Sequence, residues 1–463
     1  MKKTSLLLLT VFLISGIALI SCNVAQEEKT ETSDFETWAE TPPMGWNSYD
    51  CFGATVSEAE VKANADMVKA HLKDYGWEYV VIDYCWYYPN VGALNNPPQT
   101  DDFQPSLPMD PYGRLQPAVD RFPASAGGQG FRELSDYVHS LGLKFGIHVM
   151  RGIPREAVAK KMPVKGTTYT ADQIADTTSI CNWLNLMYGI DMDKPGAQEY
   201  YNSILEIYAE WGVDFIKVDD ISSPYSEKEI AAVRKAIDNT GRPIVLSLSP
   251  GNYVPIEMAG HLQENANMWR ISNDFWDNWE SLVRQFELIH KWEGNGAPGR
   301  WPDADMIPIG MLNIRGPHDG LPRRSNFTDV EKYTLMSLWC ICRSPLMYGG
   351  DLSRMRPIEL KLLTNREVLD VNKNSSGNRQ LFRHGEHVAW IAEVSGSGDR
   401  YLALFNLGED AETPVHVSLS ELGFDEKVAI RDLWKKSDLG EFEQDFSPLV
   451  HSHGSKLYKL SPR

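Results

Sequence analysis

A chain of 463 residues and 52.3 kDa has room for one large domain and a smaller one, and 42% apolar with 23% charged residues is ordinary for a protein with its own core. A formal net charge of −18 excludes nucleic acid as a partner, because a sheath of phosphates would be repelled, and suits a neutral ligand. Aromatic residues reach 11%, with 14 Trp, enough to furnish both a core and flat platforms for a ring-shaped ligand.

The N-terminus reads as a processing signal. Lys2 and Lys3 precede the apolar run Leu6 to Ile20, and Leu19-Ile20-Ser21-Cys22 resembles a bacterial lipobox. Residues 1–21 are therefore expected to be a signal peptide, with Cys22 the lipidated first residue of the mature chain. The polar stretch 22–36 is a flexible tether. The expected location is the bacterial cell envelope, lipid-anchored on the periplasmic or surface face of the outer membrane, with no other membrane contact. Five cysteines remain (Cys51, Cys85, Cys181, Cys340 and Cys342), an odd number whose spacing matches no zinc pattern. Burial in the core is their expected role, and Cys51–Cys85 is a bridge that an oxidising envelope would permit.

From Thr41 onward short apolar runs alternate with longer amphipathic stretches. The expected strands are "PPMGWNSY" from Pro42, "YVVIDYCW" from Tyr79, "KFGIHVM" from Lys144 and "DFIKVDD" from Asp214. "PIVLSLS" from Pro243, "MWRISND" from Met268, "DMIPIG" from Asp305 and "PLMYGGD" from Pro345 follow. Helical patterns such as "FRELSDYVHSLG" and "AQEYYNSILEIYAEWG" lie between them, closing on Gly as a helix C-terminus does. Repeated β-then-α units without a Gly-rich phosphate loop predict an α/β fold, a (β/α)8 TIM barrel over residues 37–372. Residues 373–463 show short alternating runs broken by Gly, Asn and Ser, which predicts a C-terminal antiparallel β-sandwich.

A barrel of this kind carries its chemistry at the C-terminal ends of its strands. There the chain places Asp83, Lys217 with Asp219, and Arg270 with Asp274; the loop entering the seventh strand offers Asp303 and Asp305. Lys217 and Asp219 share one face of their strand with Phe215, whereas Ile216, Val218 and Asp220 share the other. A buried cation and carboxylate are costly unless paired or used. Two carboxylates across a pocket are the minimum for glycoside hydrolysis, one to attack and one to donate a proton. Lys217 would keep Asp219 ionised, while Trp269, Phe275 and Trp276 would wall Asp274 and keep its proton on.

"TPPMGWNSYD", "VVIDYCW", "FIKVDD", "WRISNDFWDNW", "WPDADMIPIG" and "LWCICRSPLMYGGDL" occur in an order and spacing that resemble glycoside hydrolase family 27, from Thr41 to the C-terminus. The resemblance implies a retaining mechanism without metal or organic cofactor, on terminal α-D-galactosyl residues of oligo- or polysaccharides. It places the nucleophile at Asp219 and the acid/base at Asp274. It also implies sugar contacts at Trp46, Asp83, Lys217, Arg270 and Asp303. Three departures bear on the sugar. Tyr84 stands where the family has a second aspartate, the pair gripping O4 and O6. His148, where many members have tyrosine, is expected to touch the sugar. Ser249 replaces a glutamate at the 2-hydroxyl, as in α-N-acetylgalactosaminidases. A β-L-arabinopyranosidase is thus also open, since that sugar is galactose without its C6 arm. Two readings of other classes remain: a non-catalytic sugar-binding lipoprotein, and a metal-dependent barrel lyase, which would need acids closing consecutive strands.

Overall fold

A computed structural model describes residues 35–89, 106–315 and 321–463. The signal peptide, Cys22 and most of the tether lie outside the described residues. The tether's last two residues do not: Phe35 and Glu36 begin a short 3-10 helix, Phe35–Ala39, where Phe35 is buried beneath Arg234 and Glu36 pairs with Arg300. Among the described residues no helix is long and apolar enough to cross a membrane.

The eight parallel strands are β1 (Met44–Asn47), β2 (Tyr79–Ile82), β3 (Lys144–Met150), β4 (Phe215–Asp219), β5 (Val245–Leu248), β6 (Met268–Arg270), β7 (Trp301–Asp303) and β8 (Leu346–Tyr348). They pair in the order β7-β6-β5-β4-β3-β2-β1-β8. The seam between β7 and β8 is bridged by Ile307, whose N–H donates to Met347 O at 2.7 Å and whose carbonyl accepts from Gly349 N at 3.0 Å. Each strand is followed by a helix: α1 (Glu58–Met67), α2 (Arg132–Ser140), α3 (Ala197–Glu210), α4 (Glu227–Thr240), α5 (Ala259–Asn265), α6 (Trp279–Lys291), α7 (Asp329–Ile341) and α8 (Arg366–Asn374). The expected seventh strand at Asp305 is displaced. Asp305 has φ 88°, outside any strand, and the paired segment is Trp301–Asp303, so Asp303 closes β7 instead of preceding it.

Strand alternation sorts the barrel into two packed layers. Tyr79, Val81, Phe215, Val245, Met268, Trp301 and Met347 point inward and pack together, plugged from below by Trp38 and Ala39. Trp46, Val80, Ile82, Ile216, Val218, Leu246, Leu248 and Trp269 face the helices. The interior is tight where β1 meets β2. A Cβ added at Gly45 would lie 2.5 Å from Tyr79 O and 2.6 Å from Tyr79 Cβ.

The sheet of the C-terminal domain begins at Ser375, beyond the helix that contains the expected boundary. Its strands are β9 (Ser375–His384), β10 (His387–Val394), β11 (Arg400–Asn406), β12 (Val428–Asp432), β13 (Ser437–Phe442) and β14 (Ser455–Pro462), antiparallel in the order β9-β10-β11-β14-β12-β13. Both faces are buried. Ala389, Ile391, Leu402 and Leu404 pack on a second layer through Val415, Val417, Phe446 and Val450, while Trp390, Ala403 and Phe405 join the barrel's core. The five cysteines in the described residues are free, so Cys51 and Cys85 are not bridged; Cys340 and Cys342 sit at the end of α7, not on a strand.

Gly45→Ala is expected to destabilise the fold by ~1–3 kcal/mol through overpacking against backbone that cannot yield. Equilibrium denaturation of the variant against wild type measures it, and an unchanged midpoint would contradict the packing.

Candidate active site

The inward face that carries Tyr79, Phe215 and Met268 at the barrel floor carries polar residues at its upper end. Continuing the alternation brings Asn47, Asp83, His148, Lys217, Asp219, Arg270 and Asp303 to the strand ends, all but Lys217 and Asp219 buried. Above them opens a cavity of about 410 Å³ lined by Tyr49, Asp83, Tyr84, Trp183, Lys217, Asp219, Pro250, Asn273 and Asp274. Both candidate catalytic carboxylates therefore share one cavity.

Lys217 organises the acids. Its Nζ donates to Asp83 Oδ2 at 3.0 Å, and the same oxygen accepts from Asn47 Nδ2 at 2.7 Å. Asp83 Oδ1 accepts the Tyr84 N–H at 2.8 Å. Burial opposes the charge of Asp83, yet Lys217, His148 and these donors hold its carboxyl well below the usual range. Burial likewise opposes the ammonium, and Asp83 and Asp219 hold it well above its ordinary value. Asp219 is the partly open member. His148 Nε2 lies 3.1 Å from its Oδ2, and the Asp220 N–H donates to its Oδ1 at 2.9 Å. An ionised carboxylate only accepts, so His148 Nε2 is the donor of this pair, while its Nδ1 has no partner among the described residues. Burial would raise the Asp219 carboxyl; His148, Lys217 and the Asp220 N–H together lower it.

Asp274 differs. Its side chain is 56% exposed, and Arg270 Nη2 is 3.5 Å from its Oδ1. The tighter partner of Arg270 is Asp305, at 2.6 Å. Asp305 also accepts the Phe275 N–H at 2.7 Å and donates its own N–H to Asp303 Oδ1 at 2.9 Å. Burial pushes the Asp305 carboxyl up to about 7 despite Arg270, with Asp274 adding to the rise.

Several expected placements are corrected. Trp46 is fully buried on the outward face of β1, its indole N–H donating to Gly350 O at 2.9 Å, and does not line the cavity. Ser249 is buried beside β4 through its N–H to Val218 O at 2.9 Å, and Pro250 forms the wall in its place. Asp303 and Arg270 stand behind the cavity, and His148 supports Asp219 from beneath. Of the apolar wall expected around Asp274, Phe275 turns to Phe327 and Trp339 and Trp269 to Trp292, whereas Trp276 packs on the cavity residue Tyr49, ring centroids 6.4 Å apart. Asp83, Tyr84, Lys217, Asp219 and Asp274 do line the cavity. Tyr49, Trp183, Pro250 and Asn273 were missed. Tyr49 follows the flagged "MGW" segment, but Trp183 lies in an irregular loop between Ala175–Ile180 and Met187–Ile190, where no pattern marks it.

Tyr84 is held in place by its neighbours. It is 3% exposed, with ring centroids 5.8 Å from Tyr49, 5.8 Å from His148 and 6.1 Å from Trp183. Burial first, and then the charges of Asp274, Asp83 and Asp219, push the Tyr49 phenol well above its usual range, so it stays an O–H donor. Among the described residues no three His, Cys, Asp or Glu side chains gather as a metal site requires.

The family model described as "Alpha galactosidase A" matches residues 41–183 and 159–374, and the "Alpha galactosidase C-terminal beta sandwich domain" matches 384–460. A GH27 β-L-arabinopyranosidase from Geobacillus stearothermophilus superposes with a TM-score of 0.88 at 50% identity, covering 92% of this chain and 98% of its own. Alpha-galactosidase 2 of Arabidopsis thaliana is 28% identical, covering 91% of this chain and 90% of its own. The Gallus gallus alpha-N-acetylgalactosaminidase is 25% identical, covering 92% and 94%.

The backbone that presents Asp219 is itself clamped. Asp220 adopts a left-handed φ of 57° that turns its N–H onto Asp219. Arg151 secures that turn, donating from Nε to Asp220 O at 2.6 Å and from Nη2 to Asp220 Oδ2 at 2.9 Å. Its Nη1 meets Glu229 Oε1 at 2.8 Å, while the Arg151 N–H donates to Asp219 O at 2.9 Å. Burial pushes the Asp220 carboxyl up to about 6 even so, against the pull of Arg151. Arg151→Met strands two buried acids, and it is expected to cost ~3–5 kcal/mol in urea unfolding. A loss below ~1 kcal/mol, the scale of a surface pair, would refute the clamp.

Proposed function

We propose that this chain, which belongs to glycoside hydrolase family 27, is a retaining exo-glycosidase releasing terminal β-L-arabinopyranosyl residues from oligo- or polysaccharides. The observation that carries the sugar assignment is Tyr84. In the family pattern the residue after Asp83 is a second aspartate that grips O6. Here a phenol packed among Tyr49, His148 and Trp183 occupies the cavity wall where a hydroxymethyl group would need room. β-L-Arabinopyranose keeps the galactose hydroxyl pattern and lacks that arm. The likeness to the Geobacillus arabinopyranosidase supports the same reading.

Galactoside hydrolysis is the second reading, favoured by the likeness to the Arabidopsis thaliana alpha-galactosidase; Asp83 and Lys217 suit the hydroxyls common to both sugars. The residue on which the acetamido-sugar reading rests, Ser249, does not line the cavity, where Pro250 stands instead. The pairing of both carboxylates in one cavity favours an enzyme over a binding protein.

In the proposed reaction Asp219 attacks C1 while Asp274 gives its proton to the departing oxygen, forming a glycosyl ester. Asp274 then takes a proton from water, whose oxygen attacks C1 from the vacated side and expels Asp219. Two displacements return the original anomeric configuration. Asp219 must be ionised for the first, and its lowered carboxyl keeps it so at acidities where an ordinary carboxylate is protonated.

On aryl glycosides, kcat/KM is expected to favour β-L-arabinopyranoside over α-D-galactoside by about 10–100-fold, the scale of forcing an extra group into a packed wall. Tyr84→Asp should shift that ratio toward the galactoside. Equal rates in the wild type, or an unmoved ratio in the variant, would reject the arabinopyranose assignment. His148→Phe removes the hydrogen bond that lowers Asp219, so the acidic limb of kcat/KM should move to higher pH. A limb that stays in place would show that His148 does not tune the nucleophile.

A further inference from the structure

The cavity accounts for the sugar being released but not for the group to which it is attached. That group must lie beside Asp274, whose proton it receives, on the open side of the site. The segment flanking Asp274 there is the loop after β5. Pro250 forms part of the cavity wall, and the Gly251 N–H donates to Ser272 O at 3.0 Å, two residues before Asp274. Gly251 is packed so closely on the end of β6 that an added Cβ would lie 1.9 Å from Arg270 O. Asn252 Oδ1 accepts from Arg284 Nη2 at 3.0 Å, and Val254 is buried at 1% exposure. The loop is thus fixed on both sides of Tyr253, which stands 76% exposed.

A lone exposed aromatic is ordinary on a protein surface. Tyr253 is set apart by its anchorage. Three residues of chain span at most ~10 Å, so it lies within that distance of the wall residue Pro250, and its side chain is in solvent while that of Val254 is buried. An exposed aromatic face in the loop that walls the cavity is a stacking surface for the C–H face of a sugar ring.

Building on the glycosidase reading above, we propose that Tyr253 is the platform of a leaving-group subsite that binds a neutral sugar residue. The bond cleaved then joins the released pentose to another sugar, not to a lipid or an anionic group. A sugar seated on Tyr253 covers Asp274 and removes water from a carboxyl that is open in the free protein.

Paired substrates test this. One is a β-L-arabinopyranosyl disaccharide, the other β-L-arabinopyranosyl fluoride, which has the same glycone and no sugar to stack. Tyr253→Ala should lower kcat/KM on the disaccharide by about tenfold and leave the fluoride within about twofold of wild type, while Tyr253→Phe keeps both. Equal losses on the two substrates, or no loss on the disaccharide, overturn the platform. Should the wild type turn over only galactosyl compounds, the arabinopyranose assignment fails while the platform is judged on the α-galactosyl pair by the same criterion. Wild type inert toward both fluorides sinks the glycosidase reading and the platform together.

Discussion

The site rests on one ammonium group in the barrel mouth. Asp83 and Asp219 converge where water is scarce, and two carboxylates so placed would repel each other and protonate. Lys217 prevents this by a direct bond to Asp83 and by its field on Asp219. Its own charge survives burial only because both acids face it. The three groups are mutually conditional, which ties the geometry of β2 to that of β4 across the intervening β3.

That dependence explains why the surrounding structure is so heavily cross-braced. His148 on β3 fills the gap between the two acids, 4.0 Å from Asp83 and 3.1 Å from Asp219. Arg151, just past the end of β3, grips the turn at Asp220. On the far side Arg270 divides itself between buried Asp305 and open Asp274. Each brace ties an acid of the site to a residue from a neighbouring segment, which limits how far any one of them can move alone. The tightly packed aromatic floor below supplies the rigidity that this requires.

How far this was legible in the sequence depends on what kind of signal each residue leaves. Strand alternation places Lys217 and Asp219 together correctly, because period two survives burial on both faces. The same rule turns Trp46 outward in "MGWN", where Asn47 is the inward residue that meets Asp83. The seventh strand is hard to place because "DMIPIG" is the more apolar run, although the hydrogen-bonded segment is "WPD". Trp183 and Pro250 reach the cavity on loops, whose paths follow from tertiary contacts and leave no periodic trace.

Asp274 shows where charge environment and composition part. Its aromatic neighbours in sequence predict a desolvated acid, but Phe275 and Trp269 turn into the core and leave the carboxyl in solvent. The water must be removed by something that arrives with the substrate. The leaving group is the only part of a glycoside on that side of the cavity, so it would supply the apolar cover that the chain omits. Leaving-group binding and proton donation are then one event, and a residue such as Tyr253 that seats the departing sugar acts on Asp274 by excluding solvent, without touching it.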